Sequence, residues 1–476
     1  MLERFGELLR AAGYTSSELA ARLDMVLGEP FAPVSAPVHS RRLGEDALAT
    51  LARVLLLGYS TPRDRAAEVL APLGIDELIA AGVLRLDGAD VWGAVRITPY
   101  EDLLLVSDPD AQPWAEDHVL APGPTARALD HFTPRTPVGR ALDIGTGSGV
   151  QALRIARHAD HVVATDTNAR ALDLTRMSAQ LSGLANVECR HGSLFEPVAG
   201  EEFDLVVCNP PFVISPRSDY SYRDGGFPGD GLTEAVVSAM PAHIRDGGTG
   251  VVLGNWFVAP DAATPDRPLG WLERAGCDVV VVHYDSEDIL EYAARWNEEL
   301  AADGTAYGAA IDDWVAYLAG FGAEAIATGA VTMRRRAGAS NTRSFQMAVR
   351  PGPTAGAQVA RIVATLTDAP VDAIAGASVL KVPDGVLLDQ RLGAQNGEFV
   401  VGTAQFTLPQ AAGIAVEAQP AALHVLLALD GERSLADLAA EVAVETDLDA
   451  AEIESLAVRA AADLYAAGMV VRAERA

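Results

Sequence analysis

Residues 141–150 read ALDIGTGSGV, and this stretch decides the fold. Its apolar start predicts a buried strand that ends at Asp143. Three glycines, at positions 145, 147 and 149, then predict a tight loop that leads into a helix. Glycine is required in such a loop because the backbone takes up angles that other residues disfavour, and because a ligand can lie directly against the main chain. The stretch therefore predicts a nucleotide-binding loop at the end of a parallel strand.

Apolar strands alternate with helices on the carboxyl side of this stretch. The runs HVVATD, FDLVVCN and CDVVVVHYD are continuously apolar and are separated by helical segments such as ALDLTRMSAQLSG. Such strands, joined by helices of this length, predict a doubly wound parallel sheet that is covered on both faces. Functional residues are then expected at the carboxyl ends of the strands, near the point where the strand order reverses.

The details of the glycine loop bear on the choice of cofactor. The dinucleotide pattern G-x-G-x-x-G needs glycine or alanine at position 150, where this chain has Val150, and it makes no use of an acid at the end of the strand. Asp166 ends the next apolar run, where a carboxylate can accept hydrogen bonds from both hydroxyls of a ribose. These details disfavour a dinucleotide cofactor, and an NAD-dependent enzyme remains the second interpretation of the loop.

A second motif, Asn-Pro-Pro-Phe at residues 209–212, directly follows the apolar run FDLVVC. Consecutive prolines remove two backbone donors and hold the chain in a rigid, extended turn whose carbonyl oxygens can accept hydrogen bonds. A strand that is merely terminated by prolines is the alternative. The fixed position of the motif after a strand, downstream of Asp166, favours a functional turn.

The first motif, D-x-G-x-G-x-G, resembles the cofactor loop of class I methyltransferases. V-V-C-N-P-P-F is similar to the signature of amino-methyltransferases that modify exocyclic nitrogens of adenine or guanine and side-chain amides of glutamine. The resemblance covers about residues 118–285 and is greatest to the HemK-like release-factor glutamine methyltransferases and RNA-modifying relatives such as RsmC, with a further similarity in GFPGDGLTEAVV. It implies S-adenosyl-L-methionine as cofactor and S-adenosyl-L-homocysteine as product.

The resemblance also implies roles for individual residues. The side-chain oxygen of Asn209 and the carbonyl of Pro210 would accept the two N–H bonds of a planar nitrogen, and Phe212 would stack on the acceptor. Ser193 stands where the family usually has an acid that reaches the adenine amino group, so Ser193 and Leu194 are expected as adenine neighbours only. The residues expected in catalysis are Asn209, Pro210, Pro211 and Phe212; those expected to bind the cofactor are Asp143, Gly145, Thr146, Gly147, Gly149, Asp166, Thr167, Ser193, Leu194 and Asn209.

The chain has 476 residues, more than one hydrophobic core usually holds, so we expect three domains. The expected fold class is α/β, a Rossmann-like class I methyltransferase sheet flanked by N-terminal and C-terminal winged-helix-like α+β domains. We assign residues 1–100 to the helical N-terminal domain and 101–352 to the methyltransferase domain, with a helical insertion at about 286–322. Residues 353–476 form the C-terminal domain. The aromatic residues of the insertion are interpreted as core packing rather than as a substrate platform.

The composition limits the kinds of partner. A formal charge of −29 argues against a protein that binds nucleic acid by neutralising many phosphates. We interpret the arginine cluster at residues 334–336 as a solvated strand end, and a local contact of this cluster with RNA is the alternative. The three cysteines are far apart and the nine histidines show no ligand spacing, so we expect no disulfide framework and no metal. Without a signal peptide or a bilayer-length apolar run, we expect a cytoplasmic protein with no membrane partner.

The sequence leaves the acceptor open. A macromolecule is the leading interpretation, either a protein glutamine or an RNA purine, and the acidic composition favours protein. A small molecule or peptide is a weaker alternative. A catalytically silent regulator that binds S-adenosylmethionine is another, which the intact motif at residues 209–212 argues against. Tyr222, Asp224 and Asp230 are interpreted as residues of a solvated loop after that motif rather than as pocket lining. The sequence does not determine the oligomeric state.

Overall fold

The computed structural model describes residues 1–25, 35–110, 115–216, 226–284, 286–338, 341–367, 370–446 and 449–473. In this part of the chain, none of the helices combines the length and the apolar character that spanning a membrane requires.

The N-terminal region consists of short helices and two small antiparallel sheets. Thr15 and Asp46 cap two of the helices by accepting hydrogen bonds from Glu18 N and Ala49 N. The apolar faces of the helices share one core, which continues into a helix of the central region through Leu181. The elements are α1 (Leu2–Ala11), α2 (Ser16–Leu23), α3 (Ala36–Arg42), α4 (Ala47–Leu55), β1 (Thr61–Pro62), α5 (Arg63–Leu70), α6 (Ile75–Ala80), β2 (Leu84–Asp87), β3 (Asp90–Gly93), β4 (Arg96–Tyr100) and β5 (Leu103–Ser107).

The central region alternates strands and helices, as the apolar runs predict. One of its strands, Cys277–His283, is buried along its whole length, which is the expected environment of an inner strand with both faces covered. The elements are α7 (Pro124–Phe132), β6 (Val138–Ile144), α8 (Val150–Ile155), β7 (Ala159–Asp166), α9 (Ala169–Leu181), β8 (Val187–His191), β9 (Phe203–Cys208), α10 (Gly231–Ala239), β10 (Ile244–Val258), α11 (Asp266–Trp271), β11 (Cys277–His283), β12 (Glu287–Asp288), α12 (Ile289–Trp296), α13 (Gly304–Gly320), β13 (Ala325–Arg335) and β14 (Thr342–Gln346).

These strands form a single nine-stranded sheet with the order β14-β11-β13-β10-β9-β6-β7-β8, and β12 pairs with β13. The strands from β8 to β10 are parallel, whereas β13 lies antiparallel between β10 and β11. Neighbouring residues such as Ala141 and Leu142 point to opposite faces and are both fully buried, in different apolar clusters. The sheet confirms the predicted α/β fold, and its order reverses between β6 and β9.

A pair of helices, α12 and α13, lies between β12 and β13 in the chain. Tyr292 of α12 and Trp314 of α13 are buried in one cluster with Val213, Ile214 and Phe257. The helical pair therefore packs directly against the residues that follow the Asn-Pro-Pro-Phe motif.

The C-terminal region continues the core of one face of the sheet, because Val359 and Ile362 belong to the same buried cluster as Val280 and Val282 of β11. It contains two small antiparallel sheets. The hairpin β16–β17 belongs to one of them, and most of its residues are exposed to solvent. The elements are α14 (Ala355–Thr367), β15 (Val379–Lys381), β16 (Leu387–Gln395), β17 (Glu398–Thr407), β18 (Ala415–Ala418), α15 (Leu423–Leu427), β19 (Asp430–Ser434), α16 (Leu435–Thr446), α17 (Ala450–Ala466) and β20 (Val471–Arg472).

Candidate active site

The two sequence motifs follow neighbouring strands and lie side by side at one edge of the sheet. Ile144, the last residue of β6, pairs with Cys208, the last residue of β9, so the glycine loop and Asn209 leave the sheet at the same level. Ile144 also pairs with Thr165 of β7 on the other side, which places Asp166 beside the loop. The candidate residues thus form a row along the carboxyl ends of the parallel strands, at the reversal of strand order where ligands of open α/β sheets bind.

The glycine loop of residues 145–149 presents open backbone to this edge. Gly145 and Gly147 have φ angles of +68° and +54°, and a Cβ atom added to either would meet nothing within 4 Å. The amides of Gly145 and Thr146 donate to the carbonyl of Thr165 at 2.9 and 3.0 Å, which ties the loop to β7. The space beside Gly145 and Gly147 is therefore available to a ligand that lies against the main chain.

Asp143 supports this loop from inside the protein. Its side chain is 1% exposed, and its Oδ2 atom accepts hydrogen bonds from Thr146 Oγ1 at 2.7 Å and from Ala152 N at 3.0 Å. Burial raises the pKa of Asp143 to about 7, and the nearby carboxyl of Asp166 acts in the same direction. The carboxyl group thus joins the loop to the first turn of α8, and it titrates near neutral pH.

Asp166 borders the loop on the other side. Its Oδ2 accepts a hydrogen bond from Gly147 N at 2.9 Å, and its Oδ1 accepts one from Asn168 N at 2.9 Å. Partial burial raises the pKa of this carboxyl. The next residue, Thr167, is exposed, and its carbonyl oxygen lies 2.9 Å from Nε2 of His191 at the end of β8.

Ser193 and Leu194 lie in the turn that follows β8. Gly192 N donates to the carbonyl of Asp166 at 3.1 Å, so this turn is attached to the end of β7. Ser193 is exposed, and Leu194 adopts a left-handed conformation with φ of +48° while its side chain packs on a buried cluster. A strained backbone at a non-glycine residue is common at binding sites. The turn stands next to Asp166 at the same edge of the sheet.

The turn at residues 209–212 contains a buried acceptor. The Oδ1 atom of Asn209 is inaccessible to solvent and has no hydrogen-bond donor among the residues that the structure describes. Pro210 is buried, Pro211 and Phe212 are partly buried, and Phe212 packs against the apolar core. An unsatisfied acceptor in a buried position costs about 1–3 kcal/mol, which a protein retains where a ligand supplies the donor.

Cys208, which precedes this turn, has no nucleophilic role. Its side chain is fully buried, and burial raises the pKa of its thiol well above the ordinary value. A thiol in such surroundings stays protonated and behaves as a small apolar side chain.

The interpretation of Asp230 as a residue of a solvated loop was wrong. Asp230 is 4% exposed, accepts a hydrogen bond from Phe257 N at 3.1 Å and forms a bidentate ion pair with Arg267. Its carboxylate thus joins the start of α10 to the end of β10. Tyr222 and Asp224, which share that interpretation, lie outside the described residues.

Two members of the arginine cluster have partners within the protein. Arg335 donates to the carbonyl oxygens of Pro241 and Ile244 at 2.8 and 3.0 Å, and Arg336 forms an ion pair of 3.2 Å with the fully buried Asp278. These guanidinium groups stabilise the end of β13, which differs from the solvated strand end expected for this cluster. Their involvement in structural contacts weakens the alternative of an RNA contact.

Comparison with known proteins relates this chain to methyltransferases. Residues 124–224 match the family model of the methyltransferase small domain, and residues 11–96 match a domain of unknown function (DUF7059). A release factor glutamine methyltransferase from Xylella fastidiosa (strain Temecula1) is 37% identical over 196 residues, which cover 39% of this chain and 67% of that protein. A ribosomal protein uL3 glutamine methyltransferase from Bradyrhizobium diazoefficiens is 30% identical over 172 residues, which cover 33% of this chain and 53% of that protein.

A solved structure of a ribosomal protein L11 methylase from Lactobacillus delbrueckii subsp. bulgaricus is 20% identical, with a TM-score of 0.25, and covers 36% of this chain and 81% of its own. The sheet, the glycine loop and the matched model define a class I methyltransferase. Within that class, the chain belongs to the HemK-like N-methyltransferases of the N-P-P-[FY] type.

Proposed function

We propose that this enzyme transfers a methyl group from S-adenosylmethionine to the side-chain amide nitrogen of a glutamine in a protein. The observation that carries the proposal is the buried Oδ1 of Asn209, which has no donor among the described residues. A primary amide of the acceptor would supply the missing N–H group. The names of the relatives, which are glutamine methyltransferases for a release factor and a ribosomal protein, support a protein acceptor.

The residues around the glycine loop fit the cofactor. Open backbone at Gly145 and Gly147 admits a ligand, and the Asp166 carboxylate has acceptor capacity left for ribose hydroxyls beside its two backbone bonds. Ser193 and Leu194 would lie beside the adenine, and Thr146 and Thr167 at its margins. When bound, S-adenosylmethionine supplies a methyl group on a positively charged sulfur.

The turn at residues 209–212 would prepare the acceptor. Asn209 Oδ1 and the carbonyl of Pro210 would each accept one N–H bond of the amide, which favours a pyramidal nitrogen and frees its lone pair from the carbonyl group. Phe212 would stack on the planar amide and fix its tilt. As the nitrogen lone pair takes up the methyl group, the S–CH3 bond would break with its electron pair going to sulfur, so that S-adenosyl-L-homocysteine leaves. One amide proton would be lost to solvent or to a carbonyl oxygen as positive charge develops on nitrogen. Positioning and electrostatic stabilisation account for the rate, and no dedicated base is needed.

An RNA purine amine presents the same pair of N–H groups, so it is the second candidate acceptor. The net charge of −29 and the structural ion pairs of the arginine cluster favour protein over RNA.

The test is to incubate the enzyme with methyl-labelled S-adenosylmethionine and an extract of the source organism from which its gene has been deleted, and to separate protein from RNA. We expect label in the protein fraction with the wild type, and label formed at a rate about 10²- to 10³-fold lower with Asn209→Ala. Label in the RNA fraction would show that the acceptor is RNA and not protein. Cofactor binding without label in either fraction would show a regulator.

A further inference from the structure

The two helices of the insertion each direct a tyrosine hydroxyl to a backbone amide between the Asn-Pro-Pro-Phe turn and α10. The amide of Ile214, two residues beyond Phe212, donates to Tyr292 Oη of α12 at 2.9 Å. The amide of Gly229, at the start of the segment that leads into α10, donates to Tyr317 Oη of α13 at 2.9 Å. The insertion thus holds the chain at two points, one of them immediately after the acceptor turn.

The Tyr292 hydroxyl is itself fixed to the sheet. Asn255 Nδ2 donates to Tyr292 Oη at 3.2 Å, and Thr328 Oγ1 donates to Asn255 Oδ1 at 2.7 Å. Asn255 and Thr328 are register partners on β10 and β13. Tyr292 and Asn255 are 0% and 1% exposed, so this chain of hydrogen bonds connects the sheet to Ile214 without solvent. Its geometry is therefore rigid.

Packing alone does not account for this arrangement. The ring of Tyr292 lies among apolar and aromatic neighbours, with Trp296 and Trp314 at centroid distances of 6.2 and 6.1 Å, where a phenylalanine ring would fill the same space. A buried hydroxyl and a buried amide are costly unless they are hydrogen-bonded. What the hydroxyl adds over a phenyl ring is the pair of hydrogen bonds from Ile214 N and Asn255 Nδ2, which together connect the sheet to the chain after the turn.

The turn needs an anchor of this kind. Pro210 and Pro211 have no N–H group, so the backbone of the turn cannot be tied down by donors at these two residues. The acceptor oxygens, however, must be placed to within about half an ångström for efficient transfer. A fixed hydrogen bond at Ile214 limits the movement of the turn relative to the sheet that carries the glycine loop.

We propose that the helical insertion is the positioning element of the active site, with Tyr292 as the main positioning residue and Tyr317 as the second. The proposal rests on the proposed function, because it concerns the placement of Asn209 Oδ1 and the Pro210 carbonyl against an acceptor amide. Tyr292 does not touch the acceptor; it acts through Ile214.

Three hydroxyl deletions test this assignment: Tyr292→Phe, Tyr317→Phe and the matched control Tyr307→Phe. Tyr307 Oη donates to the carbonyl of Ala294 at 3.0 Å and joins the same two helices to each other, whereas the amides of Ile214 and Gly229 donate to Tyr292 and Tyr317. The first two readouts are the rate constant of a single turnover from methyl-labelled S-adenosylmethionine to the protein that the extract experiment identifies as acceptor, and the KM of that protein. The others are the calorimetric affinity for S-adenosylmethionine and the hydrogen exchange of the Ile214 and Gly229 amides.

For Tyr292→Phe we expect the transfer rate constant to fall about 10- to 100-fold, because a shift of the turn by up to about one ångström lowers the rate by a factor of this size. Cofactor affinity and KM should stay within about threefold, and the Ile214 amide should exchange about tenfold faster or more. Tyr317→Phe should release the Gly229 amide and slow transfer less. Tyr307→Phe should leave rate, KM and both amides unchanged.

The proposal is overturned if Tyr292→Phe transfers methyl groups at the wild-type rate, or if Tyr307→Phe loses as much activity as Tyr292→Phe, because either result reduces the hydroxyl to a structural role. If Tyr292→Phe does not fold, an unchanged rate and unchanged Gly229 exchange in Tyr317→Phe overturn it as well. A wild-type protein that methylates neither protein nor RNA refutes the proposed function, which is a different result from an active wild type with an equally active Tyr292→Phe.

Discussion

Replacement of Asn209 by alanine should preserve or increase the stability of the protein while it slows methyl transfer. The wild-type side chain buries an acceptor without a donor, which costs about 1–3 kcal/mol in the free protein. Its removal also sacrifices packing worth about 1 kcal/mol. The free energy of unfolding of Asn209→Ala should therefore equal that of the wild type or exceed it by up to about 2 kcal/mol.

The rate of methyl transfer should fall in the same variant. Loss of one preorganised hydrogen-bond partner of a transition state typically lowers kcat by about 10²- to 10³-fold, or about 3–4 kcal/mol. Cofactor affinity should stay within a few-fold, because the glycine loop and Asp166 do not depend on the Asn209 side chain.

Urea denaturation, calorimetry with S-adenosylmethionine and a methyl-transfer assay measure the three quantities. Asn186→Ala is a matched control, because Asn186 Nδ2 donates to the carbonyls of Ala156 and Ala159 at 2.9 Å each. That variant should lose about 1–2 kcal/mol of stability, while the folded protein transfers at the wild-type rate. The reasoning is refuted if Asn209→Ala unfolds more easily than the wild type by more than about 2 kcal/mol, or if it loses cofactor binding.

Three further predictions concern the cofactor loop. Asp166→Ala should weaken the calorimetric affinity for S-adenosylmethionine by about 10- to 100-fold, since it removes the proposed acceptor for the ribose hydroxyls and the bond to Gly147 N; an unchanged affinity would exclude Asp166 from the site. Asp143 has a pKa of about 7 in the folded protein, so unfolding releases its proton between about pH 4 and 7, and its contribution makes the protein less stable as pH rises through that range. Asp143→Asn should flatten this slope in urea titrations, and an unaltered slope would contradict the assignment. Gly149→Ala should cost about 1–3 kcal/mol in thermal unfolding, because φ is +86° and the new Cβ would lie 2.9 Å from Leu153 Cδ1; wild-type stability would show that the loop can move.

The sheet and the row of motifs could be predicted from the sequence because they depend on local patterns. Continuous apolar runs specify inner parallel strands, and the carboxyl ends of such strands meet at one edge. Asp143, Asp166 and Asn209 each end or follow a run of this kind, so their proximity follows from the topology alone.

The anchoring of the acceptor turn could not be predicted, because it depends on tertiary contacts between distant segments. Tyr292 and Ile214 are joined only after the insertion has packed against the sheet, and no spacing along the chain records their hydrogen bond. The ion pair of Asp230 with Arg267 is of the same kind, since a Gly-Asp-Gly stretch indicates a solvated turn when it is considered locally. In both cases the partner comes from an element that the local pattern does not specify.

The most direct test of the central claim is tandem mass spectrometry of proteins that the enzyme has methylated with labelled S-adenosylmethionine, with Asn209→Ala as the parallel sample. We predict a single added methyl group on the side-chain nitrogen of a glutamine, which the variant forms about 10²- to 10³-fold more slowly than the wild type. A methyl group on a purine or on another side chain, or equal labelling by both proteins, would contradict the assignment of residues 209–212 as the clamp for a glutamine amide.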